Sequence, residues 1–102
     1  MHNKEKQVEQ LLVNAKQSLD FLRTVLDDLF LKRDGLKPNV LNRLLISQQN
    51  YKRHKAVLAN IETLLSKRKF QLPEILSKSL ANSLRKRITT IIEEAVELDR
   101  LR

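Results

Sequence analysis

Apolar residues in the first third of the chain recur at alternating steps of four and three, which is the spacing of a heptad seam on one helix face. The seam residues are Val8, Leu12, Ala15, Leu19, Leu22, Leu26 and Leu29. Four further apolar residues widen this stripe, which predicts packing against two neighbouring helices rather than one. They are Leu11, Phe21, Val25 and Phe30.

The first helix is expected to cover roughly residues 3–33, with Gly35 in the left-handed conformation that often follows a helix. A second helix should begin at Pro38, because proline in the first helical position loses nothing by lacking an N–H. Its apolar residues thin out across the polar stretch SQQNYKRHK, residues 47–55, but a heptad register continues through it. That register runs through Leu41, Leu44, Gln48, Tyr51, Lys55, Leu58 and Leu65.

The third helix is expected to begin at Pro73 and Glu74, where a carboxylate complements the positive end of the helix dipole. Its apolar stripe comprises Leu76, Leu80, Leu84, Ile88, Ile91, Ala95 and Leu98. The connections, at about residues 34–37 and 69–72, are short, and short connections between long helices make antiparallel neighbours.

These elements predict an all-α fold, an antiparallel up-down-up three-helix bundle that forms one domain over residues 1–102. SQQNYKRHK contains no glycine or proline, so we expect it to continue the second helix. A break near Ser47–Asn50 would instead give four helices. One glycine and two prolines in 102 residues suit a protein of long helices. The polar N-terminus and the lack of a long apolar run predict a cytoplasmic protein without a secretory signal or membrane span.

The net charge of +8 comes from the middle of the chain. Residues 1–34 contain six basic and six acidic side chains, residues 35–92 contain twelve basic and two acidic ones, and residues 93–102 are net acidic. A surface that serves only solubility usually mixes both signs. This imbalance favours an anionic partner, and nucleic acid is the first candidate.

Catalytic chemistry has little support in the sequence. No acidic residue lies within seven positions of His54, so we expect this histidine to be a solvated member of a basic face. The lack of cysteine excludes a disulfide framework and thiolate metal sites. Glu93 and Glu97 share a helix face, but their simplest role is charge balance. We expect no enzymatic activity, metal, cofactor or small-molecule substrate.

The candidate nucleic-acid-binding residues are cations and amides around one tyrosine on the second helix, together with a polar face on the third. They are Gln48, Gln49, Tyr51, Lys52, Arg53, Lys55, Lys78, Asn82, Arg85 and Lys86. Lysine and arginine neutralise phosphates, amides donate hydrogen bonds to them, and Tyr51 either stacks on an unpaired base or fills the helix seam. Antiparallel packing would bring residues 80–87 level with residues 52–60, so that the two groups merge into one surface.

The function expected from these residues is largely sequence-nonspecific binding of DNA or RNA backbone, as an accessory subunit of a larger complex with protein partners. The alternative is a protein-interaction bundle that oligomerises, or that presents its basic face to an acidic partner or a membrane surface. The wide apolar stripes also allow a homo-oligomer.

In size, helix content and basic surface, the chain resembles the small helical subunits of CRISPR effector complexes. The residues that carry this resemblance are Gln48, Tyr51, Lys52, Arg53, Lys55, Lys78, Arg85 and Lys86. It implies backbone contacts to a guide–target duplex or a displaced strand. The chain is also similar in size and charge to helical bacteriocin-immunity proteins, although ELDRLR continues the last helix where those proteins have a flexible tail. GLKPNVLNRL, residues 35–44, resembles a segment of the nick-binding protein of DNA phosphorothioation systems.

Overall fold

The computed structural model describes residues 3–67 and 72–102, and within these ranges it contains three α-helices and no strand. The helices are α1, Asn3–Leu31, α2, Pro38–Lys67, and α3, Glu74–Asp99. The expected all-α three-helix bundle is confirmed. SQQNYKRHK lies within α2, which is a single continuous helix. No helix in the described part of the chain is both long and apolar enough to cross a membrane.

α1 is the central helix of the bundle. It packs along α3 and α2, whereas the backbones of α2 and α3 approach each other closely at only a few points. Ion pairs from Lys16 to Glu62 of α2 and from Asp28 to Arg102, just beyond α3, show the helix directions. α1 is therefore antiparallel to α2 and parallel to α3, and the molecule is a rod of 53 × 21 × 16 Å.

The buried apolar side chains of the described residues form one core, and half of them come from α1. All seven seam residues predicted for α1 are buried, as is Val25, and Leu11 packs against the core. Phe21 and Phe30 do not widen the buried stripe as predicted, because they are 39% and 42% exposed. They lie on the outer flanks of α1, and the ring of Phe30 is covered instead by the Arg33 guanidinium, 4.1 Å from its centroid.

The first connection also differs from the prediction. α1 ends at Leu31, and Arg33–Gly35 form a turn of 3₁₀ helix in which the Gly35 N–H donates to the Lys32 carbonyl, 3.0 Å away. No described residue, Gly35 included, has a positive φ. The prediction that Gly35 adopts the left-handed conformation was therefore wrong. The chain leaves the helix by tightening its last turn rather than by reversing its backbone. α2 then begins at Pro38 as expected, and the second connection lies mostly outside the described residues.

The buried seam of α2 is rotated by one residue from the predicted register. Ser47 and His54 are buried at the positions assigned to Gln48 and Lys55, while Leu44 and Leu58 lie in both registers. Tyr51 is half-buried and packs against the core. α2 therefore places a hydroxyl and an imidazole where aliphatic side chains would complete an apolar seam.

The stripe of α3 agrees with the prediction from Leu84 onward, where Ile91, Ala95 and Leu98 are buried. Its first turns differ, because Leu76 is 37% exposed and its neighbour Ser77 is buried.

The core predicts a sharp contrast between two adjacent residues of α1. Leu22 is fully buried, so Leu22→Ala should lower the free energy of unfolding by about 2–5 kcal/mol. Phe21→Ala, which removes a larger but substantially exposed side chain, should cost clearly less. Urea denaturation followed by circular dichroism measures both. Equal losses would contradict the assignment of α1 as the core helix with Phe21 on its flank.

Candidate functional site

The predicted site residues of α2 are divided between two flanks and the outer face of the helix. Tyr51 and Lys55 line a cleft against α1 together with Asp20 and Glu62, so this part of the cluster lies beside acidic side chains. Arg53 lines a groove on the opposite flank, against α3. Gln49 and Lys52 are exposed on the outer face, and Gln48 is half-buried. Two roles were predicted for Tyr51, stacking on an unpaired base or filling the helix seam. In the structure it fills the seam.

The predicted residues of α3 are also divided. Lys78, Asn82 and Arg85 are exposed, and an Arg85 NH1 group donates to the Asn82 Oδ1 atom at 3.1 Å. Arg85 lines a shallow surface depression, whereas its neighbour Lys86 lines a recess between α2 and α3. Of the predicted residues, Arg53 and Lys86 are therefore the two placed against the groove between α2 and α3.

A groove with a volume of about 550 Å³ lies between α2 and α3. It is lined by Arg43, Asn50, Arg53, His54, Arg87, Thr90, Glu93, Glu94 and Glu97. A second recess of about 320 Å³ shares His54, Arg87 and Thr90 with it and adds Ser83 and Lys86. The two recesses together make one groove, which we call the α2–α3 groove.

The floor of the α2–α3 groove is a hydrogen-bonded layer of side chains. A terminal nitrogen of Arg87 lies 2.8 Å from His54 Nδ1. Glu94 Oε2 accepts hydrogen bonds from Ser47 Oγ, 3.0 Å away, and from Asn50 Nδ2, 2.8 Å away. We call Ser47, Asn50, His54, Arg87 and Glu94 the polar layer. It joins α2 to α3, whose backbones approach each other closely at only a few points.

The burial of His54 contradicts the prediction made for it from the sequence. It was expected to be solvated, but only 7% of the residue is exposed. Its partners, Arg87 and Glu94, lie on another helix, 33 and 40 positions along the chain, so a search of its sequence neighbourhood could not find them. A signal was nevertheless available, because histidine is buried more often than the lysine at the competing heptad position.

His54 is held in its neutral form. Burial and the Arg87 guanidinium lower the pKa of His54 below its ordinary value of 6.5, and the Glu94 carboxylate opposes them only in part. A neutral imidazole accepts a hydrogen bond at one nitrogen, and Nδ1 is the nitrogen that faces the Arg87 donor. Protonation would place two cations in direct contact, so the layer depends on a neutral His54.

A metal centre has no support in this layer. Among residues 3–67 and 72–102, no three histidine or carboxylate side chains lie close enough together to hold an ion. One oxygen of Glu94 is already used twice by α2 donors, and His54 faces an arginine.

Some cations of the described residues are paired with carboxylates. Lys16, Lys32, Arg43 and Arg102 all form ion pairs with carboxylates. Within the described part of the chain, no carboxylate pairs with the six cations of the predicted site, which we call the central cations. They are Lys52, Arg53, Lys55, Lys78, Arg85 and Lys86.

The polar layer predicts a stability that falls as the pH falls below the ordinary pKa of histidine. Above about pH 6.5 His54 is neutral in both states; below it the unfolded chain gains a proton that the folded chain resists, which favours unfolding. The free energy of unfolding should therefore fall, by at most about 1.4 kcal/mol per pH unit from this residue. Urea denaturation between about pH 7.5 and about pH 5.5 measures this loss.

His54→Asn is the matched variant, because its amide oxygen can take the Arg87 hydrogen bond without titrating. This variant should lose most of the pH dependence in that range. An equally steep loss in the variant would assign the effect to other groups.

No family model matches this chain, and comparison with curated proteins and with solved structures finds no similar protein either. The three resemblances drawn from the sequence therefore stay predictions.

Proposed function

We propose that this protein binds the phosphate backbone of nucleic acids, largely without sequence specificity, as a non-enzymatic accessory subunit of a larger nucleoprotein complex. The observation that carries this proposal is the set of exposed central cations on α2 and α3, which form no ion pair with a carboxylate of residues 3–67 and 72–102. An ion pair on a protein surface contributes little to stability, so leaving these cations unpaired costs the fold little and keeps them available to phosphates.

The arrangement favours phosphate contact over the reading of base pairs. The cations are spread along helices of 30 and 26 residues on the sides of a rod. A recognition helix instead presents a few side chains near its N-terminus to the major groove. Lysine and arginine along the side of a rod can follow a charged strand, and their contribution falls as salt rises.

A protein-interaction bundle is the second candidate, and exposed apolar side chains favour it. Leu45 and Ile46 on α2 are both 51% exposed, and Ile92 and Val96 on α3 are exposed side by side, one helical turn apart. A self-associating bundle would bury such residues against a second copy. Light scattering after size exclusion tests this candidate, and a monomer at all concentrations would count against self-association.

The backbone proposal predicts a salt-dependent affinity for DNA and RNA oligonucleotides, measured by fluorescence anisotropy. Each phosphate contact should add ~0.7–0.9 to the slope of log affinity against log salt concentration. Removing three central cations with Lys52→Ala, Arg53→Ala and Lys86→Ala should lower that slope by about 2. Lys55 is left in place because it lies beside the acidic side chains of the α1 cleft.

The control removes the same charge elsewhere, with Lys6→Ala, Arg23→Ala and Lys37→Ala at exposed positions outside the central cluster. Its slope should stay close to that of the parent protein. Equal losses in both variants would mean that only the net charge matters, and no binding at low salt would refute the proposal.

A further inference from the structure

Two columns of side chains border each other on one side of the rod, where α1 and α3 meet. Residues at seven-residue steps lie on nearly the same side of a helix, two turns apart. Asp28 of α1 and Asp99 of α3 both pair with Arg102, just beyond α3, so the heptad positions that they occupy border each other. The α1 column comprises Gln7, Asn14, Phe21 and Asp28, and the α3 column comprises Lys78, Arg85, Ile92 and Asp99.

The two columns match level by level, because α1 and α3 run parallel and rise equally per residue. With Asp28 beside Asp99 at one end, Phe21 lies level with Ile92. Each column is therefore polar at its start, apolar at its third position and acidic at its end. Phe21 and Ile92 are substantially exposed, and so is Val96, one turn after Ile92. We call the surface made by the two columns and Val96 the α1–α3 face.

The α1–α3 face is left open by the second helix. α2 packs against other sides of both neighbours, where Lys16 of α1 pairs with Glu62 and Arg87 of α3 contacts His54. The apolar centre of the face is thus not covered by the described residues, as its exposed fractions show. An apolar centre between polar ends is the usual anatomy of a protein–protein interface.

The α1–α3 face fits a second copy of itself that is turned end over end. A two-fold axis that crosses the rod at the level of Phe21 and Ile92 stacks each helix antiparallel on its own copy. Phe21 then meets Phe21 of the second copy, and Ile92 meets Ile92. Val96 meets Ile88, a half-buried apolar residue one turn before Ile92. The same axis therefore buries all the exposed apolar side chains of the face together.

The polar ends of the face also match in this arrangement. Seven residues from the axis, Arg85 of one copy meets Asp99 of the other, and the Asn14 amide meets Asp28. Both carboxylates are paired with Arg102 but remain partly exposed, and a carboxylate can accept several hydrogen bonds. A parallel dimer would instead bring Asp28 of one copy against Asp99 of the other, and like charges across an interface are unfavourable. The charges therefore select the antiparallel arrangement.

We propose that this protein forms a homodimer through the α1–α3 face, with two-fold symmetry and antiparallel rods. The partner is a second copy because one chain carries both halves of the charge pattern around one apolar centre. Two copies centred on Ile92 overlap along at least residues 82–102, about 30 Å of helix at 1.5 Å per residue. A rod up to 21 Å wide makes this about 600 Å² per copy, which reaches the lower limit for a stable dimer.

The dimer does not rest on the proposed binding of nucleic acid. It takes Arg85 from the central cations, but Lys52 lies on the outer face of α2, and Arg53 and Lys86 lie against the α2–α3 groove. These three cations stay available to phosphates in the dimer. The test below contains no nucleic acid, so either proposal can fail while the other stands.

The first measurement is the molar mass in solution, by light scattering after size exclusion. Because the interface is small, the mass should rise with concentration from one chain of 12.0 kDa to two chains, between about 1 μM and about 500 μM. The mass of a single chain at every concentration would overturn the proposal.

Ile92→Glu tests the centre of the face. In the dimer it sets two glutamates against each other across the axis, so the dissociation constant should rise at least about tenfold. Val13→Glu is the matched control, because Val13 is exposed to a similar extent and shares the heptad position of Asp20, which borders α2. The control should dimerise like the parent, and circular dichroism checks that both variants fold. Equal effects of the two variants would contradict the proposed interface.

A charge exchange tests the antiparallel arrangement at two exposed positions. Arg85→Glu and Asp99→Lys each set like charges against each other at both ends of the dimer and should weaken it about tenfold. The double variant restores opposite charges across the interface and should bring the dissociation constant back to within about threefold of the parent value. Within one chain these positions are about four turns apart and do not meet. A double variant that dimerises as weakly as the single variants would overturn the antiparallel interface.

Discussion

The bundle depends on the hydrogen bonding of two buried polar residues of α2 at its contact with α3. Ser47 and His54 must find hydrogen-bond partners because burial without them costs free energy. Those partners, Glu94 and Arg87, project from α3, so the register of one helix against the other is set by donors and acceptors rather than by apolar packing. α1 then supplies half of the buried apolar side chains that the three helices share.

The same constraint explains why a groove exists. Long polar side chains span a wider gap than interlocking leucines do, and the backbones of α2 and α3 approach each other closely at only a few points. The gap leaves Arg53 and Lys86 on its walls. The polar layer therefore serves both the fold and the candidate site.

Periodicity predicted the fold well where a single register was available. The seam of α1 contains only apolar side chains, and every predicted position is buried. Two heptad registers are possible on α2, and both contain Leu44, Tyr51 and Leu58. They differ only at the positions between these residues, by one residue each, so spacing alone could not decide which register is buried. Contacts with α3 decide between the registers, and a helical pattern contains no information about partners more than 30 residues away.

The candidate site was predicted less well for the same reason. Charge composition located an excess of cations in the middle of the chain, and antiparallel packing was expected to merge the site residues of α2 and α3 into one surface. The structure places Lys55 beside α1, and it places Arg53 and Lys86 against the groove. Arg87 was counted only as a charge, yet its guanidinium contacts the buried His54 in the polar layer. Within the described residues, its buried Nε and the buried Oε1 of Glu94 have no hydrogen-bond partner, which makes this layer costly for the fold.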